Sequence, residues 1–196
     1  MGFALGTKDN TYGLVKYDYG RSADYKLFLA GARIGTLPRP LVYSVSRPSA
    51  LPKVQRNHLL QSVGAALVSD ALRETLEQVA YDDLEFFPAE IRDQSSLVTG
   101  FSAINVINKR PCIDMEQSEY RQTNFDPIKP TYTFSFYRLA PDQPYGCRIA
   151  LAQQFPELVI VDDVVKAACF SAKLRGLTFA SAVDLTDQKR GVVERI

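Results

Sequence analysis

Two stretches of the chain combine helical spacing of apolar residues with the residues that start and stop a helix, and the long interval between them has neither. The first is Ser69 followed by Asp70-Ala-Leu-Arg-Glu-Thr-Leu-Glu-Gln-Val-Ala80. Ser69 can accept from the unpaired amides of the first turn, Asp70 sits at the positive end of the helix dipole, and Leu72, Leu76, Val79 and Ala80 recur on one face. In the second, Asp162 caps Asp163 to Leu174, Lys173 and Arg175 stand at the negative end, and Gly176 supplies a left-handed terminator. The interval reads as strands rather than as alternating strands and helices. The spacing therefore predicts an α+β fold, mostly antiparallel sheet with two main helices over about 69–80 and 162–175, in a single domain spanning 1–196.

The strands are read from period-two alternation and from their boundaries. Tyr12 to Tyr19 and Tyr25 to Leu29 are aromatic-rich runs between turn residues, and Leu41 to Ser46 follows the Thr36-Leu-Pro-Arg-Pro40 turn. Residues 47–66 give no clear pattern. Leu84 to Ile91 is a strand that Pro88 pushes toward a sheet edge, since proline cannot donate to the ladder. Gly100 to Asn108 is another, and Ile113 and Met115 alternate with Asp114 and Glu116. Thr131-Tyr-Thr-Phe-Ser-Phe-Tyr-Arg138 places Tyr132, Phe134 and Phe136 on one face. Leu158 to Val161 and Leu177 to Phe179 bracket the second helix, and residues from about Asp187 onward read as a flexible tail.

With 196 residues, 46% apolar and 23% charged, the chain can bury a core without disulfides or metal. His58 is the sole histidine, which removes sites built on two imidazoles. It lies beside Leu59 and Leu60 and reads as a partly buried packing residue. The nucleophile elbow, the phosphate-binding loop and the dinucleotide loop are absent. Asp162-Asp163 with Lys166 has the spacing of a helix start rather than of a metal site. No catalytic, metal-binding or cofactor-binding residue is assigned. Cys112, Cys147 and Cys169 are an odd count without C-x-x-C spacing, Met1-Gly2-Phe3-Ala4 does not read as a basic n-region leading into an apolar stretch, and no apolar run in the sequence has membrane length. A cytoplasmic location with no membrane role is expected.

Charge is unevenly distributed beneath a net +1. Residues 1–60 hold nine basic and three acidic side chains, whereas residues 61–127 hold five basic and twelve acidic. The whole-chain balance of 23 basic to 22 acidic residues argues against a nucleic-acid partner. The candidate partner-binding residues are Glu74, Glu77, Tyr81, Asp82, Asp83, Glu85 and Glu90, followed by Asp114, Glu116, Glu119 and Tyr120. If their elements are neighbours in space, they form a negative face that would steer a basic partner, with Tyr81 and Tyr120 as aromatic anchors. The alternative is a solvated helix and hairpin, partly neutralised by the basic first third folding over them.

Leu67-Val-Ser-Asp-Ala-Leu-Arg-Glu-Thr-Leu76 leading to Leu84-Glu-Phe-Phe-Pro-Ala-Glu-Ile91, then Ile104-Asn-Val-Ile107 leading to Ile113-Asp-Met-Glu-Gln-Ser118, resembles a family of bacterial immunity proteins. It is family eleven of those in polymorphic toxin systems, typified by a myxobacterial protein. Leu158-Val-Ile-Val-Asp-Asp-Val-Val165 through Leu174-Arg-Gly-Leu-Thr-Phe179 fits the same pattern, so the resemblance covers roughly residues 40–180. It implies a non-catalytic cytoplasmic protein that binds a cognate protein toxin, and it carries over no catalytic residue and no cofactor. Asp114 and Ser118 fall on its most polar motif, where a strand end that satisfies its own backbone competes with a binding role. Two other classes stand beside this one: a small hydrolase or transferase using dispersed carboxylates, and an interaction module unrelated to toxins.

Overall fold

In the computed structural model, which describes residues 1–94, 96–124, 130–186 and 191–196, the strands sort into two sheets with helices between them. In chain order the strands are β1 (Gly2–Thr7), β2 (Val15–Tyr17), β3 (Leu41–Val45), β4 (Leu59–Leu60), β5 (Leu67–Ser69), β6 (Leu84–Asp93), β7 (Ser96–Val98), β8 (Phe101–Val106), β9 (Lys109–Arg110), β10 (Glu119–Asn124), β11 (Thr131–Arg138), β12 (Ile149–Ala152), β13 (Phe155–Asp162), β14 (Leu177–Asp184) and β15 (Val192–Arg195). The helices are α1 (Leu51–Arg56), α2 (Asp70–Ala80) and α3 (Asp163–Ser171). One sheet has the order β10-β11-β14-β1-β13-β12-β9, with β15 beside β14; the other runs β2-β3-β6-β8-β5-β4, with β7 beside β6. Pairing is antiparallel except between β3 and β6 and between β9 and β12. The fold is α+β, as the spacing of the helices requires. Among the described residues no helix is long and apolar enough to cross a membrane.

Alternation along the strands decides which layer each side chain joins. Phe3, Leu5, Ile149, Leu151, Val161, Leu177 and Phe179 leave one face of the eight-stranded sheet and meet Leu72, Leu76 and Ala80 of α2, Val165 and Cys169 of α3, and Ile104 and Val106 of β8. This inter-sheet cluster holds α2 and α3, whereas α1 joins the next cluster through Val54. Leu60, Leu67 and Ala103 point the other way from Leu59, Val68 and Ile104, into a second cluster with Tyr43, Val54 and Ile91. A third cluster covers the outer face of the eight-stranded sheet, where Cys112, Ile113, Phe134 and Tyr137 lie over Ala4, Ala150 and Ala180.

Several local expectations are corrected by tertiary packing. Tyr25–Leu29 is a 3-10 turn rather than a strand, because the Asp24 carboxylate accepts the Lys26 N–H and starts a turn. Residues 47–66, unreadable as a sequence, form a 3-10 turn at Pro48–Ala50, then α1 and β4. Pro88 lies in a strand inside the sheet. It is tolerated because β8 borders β6 along 84–88 whereas β3 joins the other side only from Ala89, so that side is still a local edge at Pro88. Residues 113–116 do not continue as a strand: Ile113 makes a single bridge to Leu139, and Asp114 then closes a turn. Residues 192–195, expected to belong to a flexible tail, form β15 along Thr178–Ala182 of β14, meeting the β11 pairing only at Ala182, with Ile196 packed on the inter-sheet cluster. Residues 187–190 lie outside the described residues.

Helix α3 also ends earlier than its sequence suggests. The helix stops at Ser171, Leu174 N–H returns to Cys169 O (3.2 Å), Lys173 N–H returns to Phe170 O (3.0 Å), and Lys173, at φ 54°, is the left-handed residue that closes the helix, while Gly176, also left-handed at φ 79°, comes three residues later. This is the paired closure of a Schellman motif, with Leu174 packed beside Cys169. Gly176 serves the sheet instead: it donates to Ile196 O (2.7 Å) and accepts from Lys8 N–H (2.8 Å). Because an exposed lysine bears the left-handed strain, Lys173→Gly should stabilise the protein by about 1 kcal/mol, read as a rise in the urea midpoint.

Candidate functional site

Helix α2 is built as its sequence reads. The Ser69 hydroxyl accepts the Leu72 N–H (3.3 Å) and also meets His58 Nδ1 (2.8 Å), while Ser69 N–H donates to His58 O (2.9 Å). The only imidazole therefore braces a helix cap, and partial burial lowers its pKa. Leu72, Leu76 and Ala80 face the inter-sheet core, leaving Asp70, Glu74 and Gln78 in solvent on the opposite side. The stripe continues into the 3-10 turn Tyr81–Asp83, where Tyr81 is 73% exposed and Asp82 is exposed beside it.

The two carboxylates on either side of Leu84 do different work from Asp82. Asp83 turns inward, accepting from Asn108 Nδ2 (2.7 Å) and from the backbone N–H groups of Arg148 (2.7 Å) and Ile149 (3.3 Å). It thereby ties the end of α2 to the start of β12 in the other sheet. Glu85 accepts from Ile34 N–H (2.8 Å), Gly35 N–H (3.2 Å) and Asn105 Nδ2 (2.9 Å), clamping the 31–35 loop onto β6. Partial burial works to raise its pKa, but those donors, with Arg33 nearby, outweigh it and hold the carboxyl below its usual range. Both are structural carboxylates.

The charge around Tyr81 is mixed. A cleft of about 270 Å³ beside it is lined by Arg33, Arg73, Glu77, Glu85 and Phe86. Arg73 pairs with Glu77 (2.8 Å) and lies over the Phe86 ring (5.2 Å), and Arg33 donates to the Asp82 carbonyl (3.4 Å). The basic first third thus does fold against the acidic turn. Glu90 is paired with Arg92 (2.8 Å) further along β6. The carboxylates of Glu74 and Asp82 make no hydrogen bond or ion pair among the described residues, so their charge faces solvent.

The second acidic group is elsewhere. Asp114 closes a turn by accepting from Glu116 N–H (3.0 Å), Gln117 N–H (3.1 Å) and Gln117 Nε2 (2.7 Å). Ser118 donates to the Asp114 carbonyl and accepts the Arg138 N–H, which is the backbone-satisfying reading of that motif. Glu116 is exposed on the turn, and Glu119 and Tyr120 begin β10. Met115, Tyr132 and Phe134 anchor this region on the outer face of the eight-stranded sheet, whereas α2 packs on its inner face. The structure does not bring Glu74–Glu90 and Asp114–Tyr120 into one continuous surface.

What the sequence reading missed is an apolar neighbour. Helix α3 packs against α2 and exposes Val164 (42%) and Phe170 (39%), opposite the buried Val165 and Cys169. Val164, Ala167 and Phe170 recur three apart, a helical periodicity by which this exposed stripe could have been found in the sequence. Among the described residues no group of three or more His, Cys, Asp or Glu could hold a metal ion.

On this helical layer the exposed acidic side chains of α2 and its following turn frame exposed aromatic and aliphatic ones. The immunity protein family (Imm11) matches the chain over residues 7–184, and the chain belongs to that family. The match extends well upstream of the residues whose motifs suggested it. No curated protein matches the chain.

Proposed function

We propose that the protein protects its own cell by binding a cognate protein toxin without chemistry of its own, in the cytoplasm, as one domain, with no nucleic acid or membrane partner. The surface proposed to meet the toxin is the helical layer: Glu74, Tyr81 and Asp82 from α2 and its following turn, flanked by Val164 and Phe170 of α3. Family membership supports the class of function. The observation that carries the choice of surface is the pairing of unpartnered Glu74 and Asp82 carboxylates with the 73% exposed Tyr81. Solvated acidic groups accelerate capture of a basic toxin, and a desolvated aromatic slows its release. Asp83 and Glu85 contribute by holding this turn in place, and Glu77 and Glu90 are tempered by their arginines.

The test uses the toxin encoded beside this gene. Co-expression should restore growth, and Glu74→Lys with Asp82→Lys should slow association about tenfold or more at low salt, with the deficit shrinking as salt is added. Tyr81→Ala should chiefly speed dissociation, by about 30-fold for an anchor worth 2 kcal/mol. Association and dissociation unchanged in both variants would remove the helical layer from the reading. Turnover of a substrate by the purified protein would remove the binding mechanism itself.

A further inference from the structure

A cleft opens into the core where strand β5 stops. Beside β8, β5 pairs only as far as Ala103, with one further bond from Ile104 N–H to Ala66 O (3.0 Å), whereas β6 follows β8 on its other side to Val106. Among the described residues no strand borders β8 beyond Ala66 on the β5 side, and a space of about 210 Å³ remains there between the two sheets. Its inner walls are Ile104 and Val106 of β8 and, from the other sheet, Leu151 of β12 and Val159 of β13. Phe28 and Tyr25 of the 3-10 turn add aromatic rings to the lining. Protein interiors leave few voids larger than a water molecule, and apolar space of about 150 Å³ suffices to take up a benzene ring. The mouth carries a charge. Glu157 and Val159 line the cleft, while Leu158 between them packs on the outer face of the sheet. The Glu157 carboxylate makes no hydrogen bond or ion pair, and among the described residues that line the cleft there is no lysine or arginine. Tyr12, also on the lining, is 58% exposed, and the Tyr25 ring stands edge-on to Tyr19 at 5.9 Å.

We propose that this cleft binds a small aromatic primary amine, with its ring between the sheets and its ammonium group on the Glu157 carboxylate beside Tyr12 and Tyr25. An apolar slot with a few placed polar groups is the usual form of a small-molecule site, and the polar groups decide which ligand fits. The ring belongs inside because the walls are aliphatic and aromatic and the volume is that of one ring with a short arm. The charge belongs at the mouth because a cation deeper in the slot would lose its water and gain no partner. There it meets an unpaired carboxylate and the faces of tyrosine rings, both of which attract an ammonium ion. A carboxylic acid of the same shape would be repelled by Glu157, and an aliphatic amine would leave much of the space unfilled. The cleft shares no residue with the surface proposed to meet a toxin, so either reading can fail without the other.

Titration of the methyl-labelled full chain with phenethylamine, followed by nuclear magnetic resonance, tests this. The methyl signals of Ile104, Val106, Leu151 and Val159 should move together, with a dissociation constant below about 1 mM. Phenylpropionate, which reverses the charge, and butylamine, which keeps the ammonium group of a lysine side chain without the ring, should each bind at least about tenfold more weakly. Glu157→Gln should weaken phenethylamine about tenfold and leave the neutral phenethyl alcohol unchanged, and Glu157→Lys should make the acid the better ligand. The Glu157 side chain is exposed and bonds to nothing else, so these variants keep the fold, which matching methyl spectra before titration check. Methyl signals that stay in place up to about 10 mM phenethylamine overturn the proposal. So do equal affinities for the amine and the acid, for phenethylamine and butylamine, or for the wild type and Glu157→Gln.

Discussion

Asp83→Ala should cost about 3 kcal/mol of stability, whereas Asp82→Ala, one residue earlier, should change it by less than about 0.5 kcal/mol. The difference lies in what each carboxylate touches. Asp83 accepts from Asn108 Nδ2, Arg148 N–H and Ile149 N–H, and its own carbonyl accepts the Ile107 N–H at 3.0 Å. Removing the side chain leaves two backbone donors at the head of β12 and one amide on the 107–108 connection without their acceptor. Hydrogen bonds to a charged group are each worth about 1.5–3 kcal/mol, and water reaching the exposed Arg148 returns part of that. Urea unfolding monitored by circular dichroism, with the slope held constant across variants, checks both numbers. Equal midpoints for the two variants would remove Asp83 as the tie between sheets. A reversal combining Asp82, Asp83 and Glu85 would therefore unfold the chain and imitate a binding defect, which is why Glu74 and Asp82 are the informative pair.

Leu76→Ala is expected to be at least as damaging, at about 3–4 kcal/mol. Leu76 is 0% exposed at the middle of α2, inside the cluster that joins both sheets and α3. Truncation there loses the transfer free energy of the removed methyl groups and leaves a cavity that two sheets cannot both relax to fill. Glu77→Ala, the adjacent position, should cost under about 1 kcal/mol, since it removes only a half-exposed ion pair with Arg73. The same variant also probes function: a toxin that binds only the folded state raises the midpoints of Leu76→Ala and the wild type by a common free energy at equal free toxin, and that increment should shrink when Glu74→Lys and Asp82→Lys are added.

The parts of the fold that could be read from sequence are those whose signals are local. Ser69 and Asp162 each cap their helix through an N–H three residues on, as their positions before apolar-periodic runs imply. The strands β6, β8, β11 and β13 follow from runs of alternating or continuous apolar residues. The parts that could not be read depend on distant neighbours. Gly2–Thr7 is short and unremarkable in sequence, yet β1 sits between β13 and β14 because both supply open ladders to it. Gly64 in the unreadable 47–66 stretch is glycine because a side chain there would meet the Tyr17 ring at 2.2 Å. In the candidate site, the acidic residues were visible as a cluster, but their division into clamps and free charges was not. Asp82, Asp83 and Glu85 are chemically alike in a sequence, and only the position of the 31–35 loop and of β12 separates them.

By itself, then, the amino-acid order determined the class of the fold, the two capped helices, the buried stripe of the first and the concentration of carboxylates between residues 70 and 119. Those properties follow from period, capping and local charge, which act over a few residues. Tertiary structure alone decided that α2 and β10 lie on opposite sides of one sheet, that Asp83 and Glu85 hold the chain together while Glu74 and Asp82 face solvent, and that residues 192–195 close an edge of β14. Each of these depends on hydrogen-bond acceptors and apolar faces meeting donors and faces far away in the chain, and such partners have no signature at the position that needs them.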